Sequence, residues 1–219
     1  MQGARTAIPP ASVISSDKWH DVRGLVQPEG CAPGSHVQPW GCGWPTGRRN
    51  MREIPKGPIM VSMTHNEASV VDEESFSVRR SIQIAAPVEK VWRAVAEPQH
   101  ISRWFGRTVL DGAGVGATGT MTFPDYDVIP LRVEEYDEPR RITYRWNNDD
   151  ALGKLPDSID ESTSTVFTFT LEEVDGGTRL TVVESGFERT SEPRANLESH
   201  RTGWDLELDK MVALVEGEA

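Results

Sequence analysis

Few residues in this 219-residue chain have types and settings that suggest chemistry. Glu184 alternates with Leu180 and Val182 along Arg179 to Ser185, which puts its carboxyl on their apolar face. Buried there, it would have a raised pKa and could serve as an acid, unless an Arg pairs with it in a purely structural role. His100 lies four residues before Trp104, where an imidazole could shuttle a proton near neutral pH or simply face solvent. Asp125 and Asp127 flank Tyr126 after Phe123, and a rim carboxylate there could act as a base or decorate a solvated hairpin tip. His100, Asp125 and Glu184 are therefore weak catalytic candidates, and none of them is assigned.

Other chemistries lack their residues. No nucleophile has a recognisable base beside it, and Ser185-Gly186 lacks the glycine spacing of a nucleophile elbow. GAGVGATG (Gly112 to Gly119) has no Lys-Ser/Thr ending, so its glycines read as turns and not as a phosphate loop. Cys31, His36 and Cys42 fit no common zinc spacing. Neither a metal nor a cofactor is expected.

A second kind of site is apolar. By strand alternation Tyr144 and Trp146 share one face, as do Phe167 and Phe169. Phe123 adds another aromatic from a neighbouring strand, and helical segments bring Trp92, Trp104, Phe105, Trp204, Leu208 and Met211. Such a lining suits a pocket for a hydrophobic small molecule, and it equally suits a solid core.

These residues need elements to position them. Phe76 to Ile84 alternates as a half-buried strand, and Pro87 suits a helix start. Val88, Val91, Trp92 and Val95 then form one helical stripe that Pro98 ends, with Gln99 to Phe105 as a short second helix. Five further strands are predicted at Thr118 to Phe123, Val128 to Tyr136, Arg141 to Asn147, Thr165 to Glu172 and Arg179 to Ser185, with Asp175-Gly176-Gly177 as the last tight turn. Leu197, Trp204, Leu208, Met211 and Val215 mark a long C-terminal helix. Arg79-Arg80 and Arg140-Arg141 are expected to neutralise acids at the sheet surface. The whole is an α+β domain.

Composition divides the chain. Gly and Pro make up 27% of residues 1–60 but 11% of the remainder, and the first part carries +3 while the rest carries −14. Residues 1–72 therefore read as a disordered leader and 73–219 as the domain. The leader could also be translated upstream sequence, with the true start near Met60 or Met63. The acidic domain is a poor partner for nucleic acid. No segment reaches the length of a membrane span, and a cytoplasmic location is expected.

Longer stretches carry a family likeness. SIQIAAPVEKVWRAVAEPQHISRWFG (Ser81 to Gly106), VEEYDEPRRITYRW (Val133 to Trp146), GTRLTVVESGF (Gly177 to Phe187) and NLESHRTGWDLELDKM (Asn196 to Met211) together resemble the activator of Hsp90 ATPase-like group of the START-like, SRPBCC superfamily. The resemblance implies a helix-grip fold of the birch-pollen-allergen type, in which a curved antiparallel sheet of about six strands surrounds the C-terminal helix and a pocket lies between them. It implies a binder of a hydrophobic small molecule, a polyketide-cyclase type enzyme using the same pocket, or a co-chaperone of Hsp90. Residues 1–75 do not resemble the separate domain through which the eukaryotic co-chaperones make their main chaperone contacts, and Trp19-His20 does not supply its Asn-rich tryptophan motif.

Overall fold

The structure, a computed structural model, describes residues 66–124, 128–152 and 154–217. The readings that concern the leader, including Cys31, His36, Cys42 and a start at Met60 or Met63, lie outside the described residues, as does Asp125.

The described chain runs β1 (Val70–Asp72), β2 (Ser77–Ile84), α1 (Val88–Ala96), α2 (Pro98–Ile101), β3 (Arg107–Asp111), β4 (Thr118–Thr122), β5 (Val128–Asp137), β6 (Arg141–Trp146), β7 (Thr165–Val174), β8 (Gly177–Ser185), a 3-10 turn (Phe187–Arg189) and α3 (Pro193–Gly217). The strands form one sheet in the order β1-β2-β8-β7-β6-β5-β4-β3, and every pairing is antiparallel. Eight strands thus replace the six expected. The two additions, β1 and β3, are the sheet edges.

Residues 66–72, inside the expected leader bound of 1–72, lie on the domain. Asn66 exchanges hydrogen bonds with the backbone of Gln83, and the backbone N–H and hydroxyl of Ser69 both donate to Asp205 in α3 at 2.7 Å. Beneath them Arg80 corrects the surface expectation for its pair. Only 4% exposed, it reaches Asp209 Oδ1 at 2.7 Å and donates to the carbonyls of Glu67, Trp204 and Asp205. Alternation with Val78, Ile82 and Ile84 turns it inward, and the acidic flank of α3 meets it there. Arg140 and Arg141 stay at the surface, paired with Asp137 and Glu135.

One sheet face is apolar because strand periodicity places Ile82, Ile129, Leu131, Val133, Ile142, Tyr144, Phe167, Phe169, Leu180 and Val182 on it. α3 answers with Leu197, Trp204, Leu208, Met211 and Val215, buried along its roughly 37 Å length at 1.5 Å per residue. This is the helix-grip arrangement. The glycines of the β3–β4 connection serve turns, with positive φ at Gly112, Gly114 and Gly116. Gly119 has another reason: a Cβ there would stand 1.9 Å from the carbonyl oxygen of Val109 on the paired strand. Among the described residues no helix is long and apolar enough to cross a membrane.

Candidate functional site

Sheet register assembles the polar heart of the domain. Trp146 pairs with Thr165, and Phe167 pairs with Glu184, so Thr165 and Glu184 sit diagonally on the inner face. Thr165 Oγ1 donates to Glu184 Oε1 at 2.6 Å, and Trp146 Nε1 lies 2.8 Å from the same oxygen. From above, α3 supplies Trp204 Nε1 at 2.8 Å and His200 Nδ1 at 2.9 Å to Oε2. Residues four apart lie on one helix face, which explains why His200 and Trp204 arrive together.

Both members of the charged pair are sealed from solvent. Burial alone would raise the pKa of Glu184, but the charge of His200 and the donors around the carboxylate outweigh it and hold the group below the usual range. The structural-pairing alternative therefore describes Glu184, with His200 in the place of the expected arginine, and the raised value does not. For His200, burial would lower the pKa, yet the facing Glu184, with Asp149 and Asp150 adding to it, pushes the imidazole up to about 9. His200 is thus a buried imidazolium at neutral pH. Its Nε2 has no hydrogen-bond partner among the described residues, and its ring meets Phe187 edge to face at 5.0 Å.

The loop after β6 closes the neighbouring wall. Asp149, itself buried, accepts from the backbone and hydroxyl of Ser191 and from Asn196 Nδ2 at 2.8 Å, while Asn196 Oδ1 accepts from Asp150 N–H. Ser199 donates to Asp150 one turn later. Farther along α3, Glu207 is buried beside Lys210 Nζ at 2.5 Å, and burial pushes its pKa up. His200, Thr165 and Glu207 were not singled out in the sequence. The spacing of Leu197, His200, Trp204 and Leu208 was the available signal for the first.

Next to this polar knot lies the aromatic cluster. Phe105 is its hub, with ring centroids 5.0 Å from Trp104, 5.3 Å from Phe123, 5.9 Å from Trp146 and 5.4 Å from Trp204. Trp204 also packs on Phe167 and Phe169 at 5.4 and 5.7 Å. The space left between them is about 10 Å³, lined by Val95, Ile101, Trp104, Phe105, Met121, Tyr144, Phe167 and Phe169. That is room for about one water molecule. Five of the expected lining residues border this void: Trp104, Phe105, Tyr144, Phe167 and Phe169. Trp146, Trp204, Leu208, Met211 and Phe123 belong to the packing around it. Trp92 turns elsewhere, stacking edge-on against Tyr136 at 5.2 Å.

Tyr144 donates to the carbonyl of Val95, and Trp104 Nε1 donates to that of Ala94, so both anchor α1 with their polar ends. Burial raises the Tyr144 pKa, keeping it a neutral donor. His100 does not reach the aromatic void. It lines a separate cleft with Lys90, Arg93, Ala94, Leu214 and Val215, and its Nε2 is 3.6 Å from Glu97. Among the described residues no three His, Cys, Asp or Glu side chains are grouped so as to hold a metal ion.

Comparison with known proteins agrees with this architecture. The family model described as "Activator of Hsp90 ATPase homolog 1-like protein" matches residues 85–216. Protein MLL2253 of Mesorhizobium loti is similar in structure, with 26% identity and a TM-score of 0.55 over 65% of this chain and 98% of its own. Protein CV1439 of Chromobacterium violaceum is 25% identical with a TM-score of 0.50, covering 64% and 96% of the two chains. DynU16, from the dynemicin biosynthetic locus, shares the fold at 24% identity and a TM-score of 0.51; the match takes in 64% of this chain but 47% of DynU16. No curated protein sequence matches the chain.

Proposed function

The chain belongs to the activator of Hsp90 ATPase homolog 1-like family, and from that premise we propose that its domain is a binding protein for a hydrophobic small molecule, held between α3 and the sheet. The observation that carries this reading is the position of Phe105. Its half-buried ring borders the small void and touches four aromatic neighbours, and movement of this ring is the step by which the void would widen to admit a ligand. The rest of the lining is apolar, as a site for a lipophilic ligand requires.

Binding is favoured over acid–base catalysis by where the polar groups lie. Thr165 and His200 Nδ1 are both spent on the Glu184 carboxylate behind Trp146 and Trp204, and none of the three residues borders the void. A general acid or base must come within hydrogen-bond reach of a substrate atom. These face each other instead.

Native mass spectrometry of the full-length protein, followed by displacement of a lipophilic dye, tests the reading. A co-purified small molecule, or saturable dye binding that lipophilic compounds displace, is expected. A ligand-free protein with no displaceable dye binding would overturn it.

A further inference from the structure

A second concave site lies apart from the aromatic void, between α1, α2 and the last turns of α3. It is lined by Lys90, Arg93, Ala94, His100, Leu214 and Val215 and encloses about 100 Å³, against about 10 Å³ for the central void. One wall is cationic and the other aliphatic. Lys90 and Arg93 stand one turn apart on α1, which places their side chains on the same side of the helix. Leu214 and Val215 approach from α3, and Ala94 forms the floor between them.

The charge setting is unusual for this molecule. Residues 61–219 carry a net −14, and the described arginines are largely consumed by acids, as at Arg80, Arg132, Arg140, Arg145, Arg179 and Arg201. Among the described residues Lys90 and Arg93 have neither an ion pair nor a side-chain hydrogen bond. Among the described residues no acid lines the cleft, and Glu97, one turn beyond Arg93, has its carboxylate 3.6 Å from His100. Glu216, close in sequence to Leu214, is occupied in accepting from the backbone N–H of Ala85 at 2.8 Å. Two unneutralised cations thus face an apolar wall in an otherwise acidic domain.

From this juxtaposition we infer that the cleft binds a small amphipathic anion: a carboxylate or phosphate head held by Lys90 and Arg93, with a short aliphatic chain or single ring against Ala94, Leu214 and Val215. Arg93 offers a fork of donors to a planar head and Lys90 a point charge. The volume limits the apolar part: at about 100 Å³, against the roughly 150 Å³ of an enclosed cavity that holds benzene, the cleft takes a short chain whole and covers a single ring only in part. An anionic bilayer is disfavoured as occupant, because the surrounding domain would repel it.

The site is independent of the central void and is tested separately. Isotope-labelled full-length protein is titrated at low salt with benzoate, benzamide and inorganic phosphate while amide resonances are followed. Benzoate is expected to shift the amides of Ala94, His100, Leu214 and Val215. Benzamide, which lacks the charge, and phosphate, which lacks the ring, should each bind about tenfold more weakly or worse. The double variant Lys90→Gln/Arg93→Gln, altered only on the helix surface, should weaken benzoate by about tenfold while leaving the remaining resonances in place. Phenyl phosphate in place of benzoate separates a phosphate head from a carboxylate head, and binding of either supports the site. Equal binding of benzamide, equal binding of inorganic phosphate, shifts confined to the aromatic void, or an unaffected double variant would each overturn the inference.

Discussion

His200 Nδ1 and Glu184 Oε2 lie 2.9 Å apart in the interior, one carried by a helix and the other by a central strand, with neither side chain open to solvent. A pair so placed couples the charge state of the domain to the seating of α3 on the sheet.

Replacing Glu184 with Gln should destabilise the fold by about 3–5 kcal/mol, the range for removing one partner of a buried ion pair. The uncompensated imidazolium is the main cause. Chemical denaturation measures the loss, and an NMR titration should show the pKa of His200 falling from about 9 to below its ordinary 6.5.

Stability should also depend on pH in a direction set by the same pair. The raised pKa of His200 contributes stability that is complete below about 6.5 and lost as pH climbs through about 9. Glu184, with its pKa below 4.5, contributes stability that is complete above that value and lost on acidification through its folded pKa. Denaturation midpoints should therefore peak between roughly pH 4.5 and 6.5 as far as this pair decides. In His200→Gln the alkaline decline should flatten; an unchanged slope between pH 6.5 and 9 would assign it to other groups.

Phe105→Ala should enlarge the aromatic void and open it outward. Dye binding should rise, and stability should fall by about 2–4 kcal/mol, less than for a fully sealed phenylalanine because Phe105 is only half buried. Unchanged dye uptake alongside the loss of stability would show that the ring serves packing alone.

Arg80→Met should cost about 2–3 kcal/mol: of its two acid partners Asp209 is 66% exposed and can return to water, while Asp205, 3.4 Å from Nε and 23% exposed, keeps the hydrogen bonds from Ser69. Hydrogen exchange should quicken in β1 and at residues 66–69, which Arg80 and Asp205 tie to α3.

Much of the frame could be read from periodicity. β2, α1 and α3 carry long, clean apolar repeats, and the structure puts each within a few residues of its expected bounds. β1 and β3 escaped because an edge strand has one neighbour and little to bury: β1 is three residues long, and in β3 only Thr108 is fully buried. Strand alternation placed Glu184 on the inner face, but its partner lies on a helix sixteen residues later and meets it only when α3 docks. That missing cation is why the direction of the Glu184 pKa could not be read. The aromatic residues were legible as a cluster, whereas the space left among them depends on rotamers and on Phe105, which no spacing encodes.

Trp204 is held at both ends. Arg80 grips its carbonyl from the β2 side, and Glu184 grips its indole from the sheet below. Sliding α3 by a turn, or lifting it from the sheet, would break both grips at once and strand a buried guanidinium and a buried carboxylate. The C-terminal helix is therefore the fixed jaw of the grip. If the proposed binding role holds, a guest would have to enter on the side of Phe105 and α2 and not by lifting α3, because two hydrogen bonds to a single tryptophan hold that helix in place.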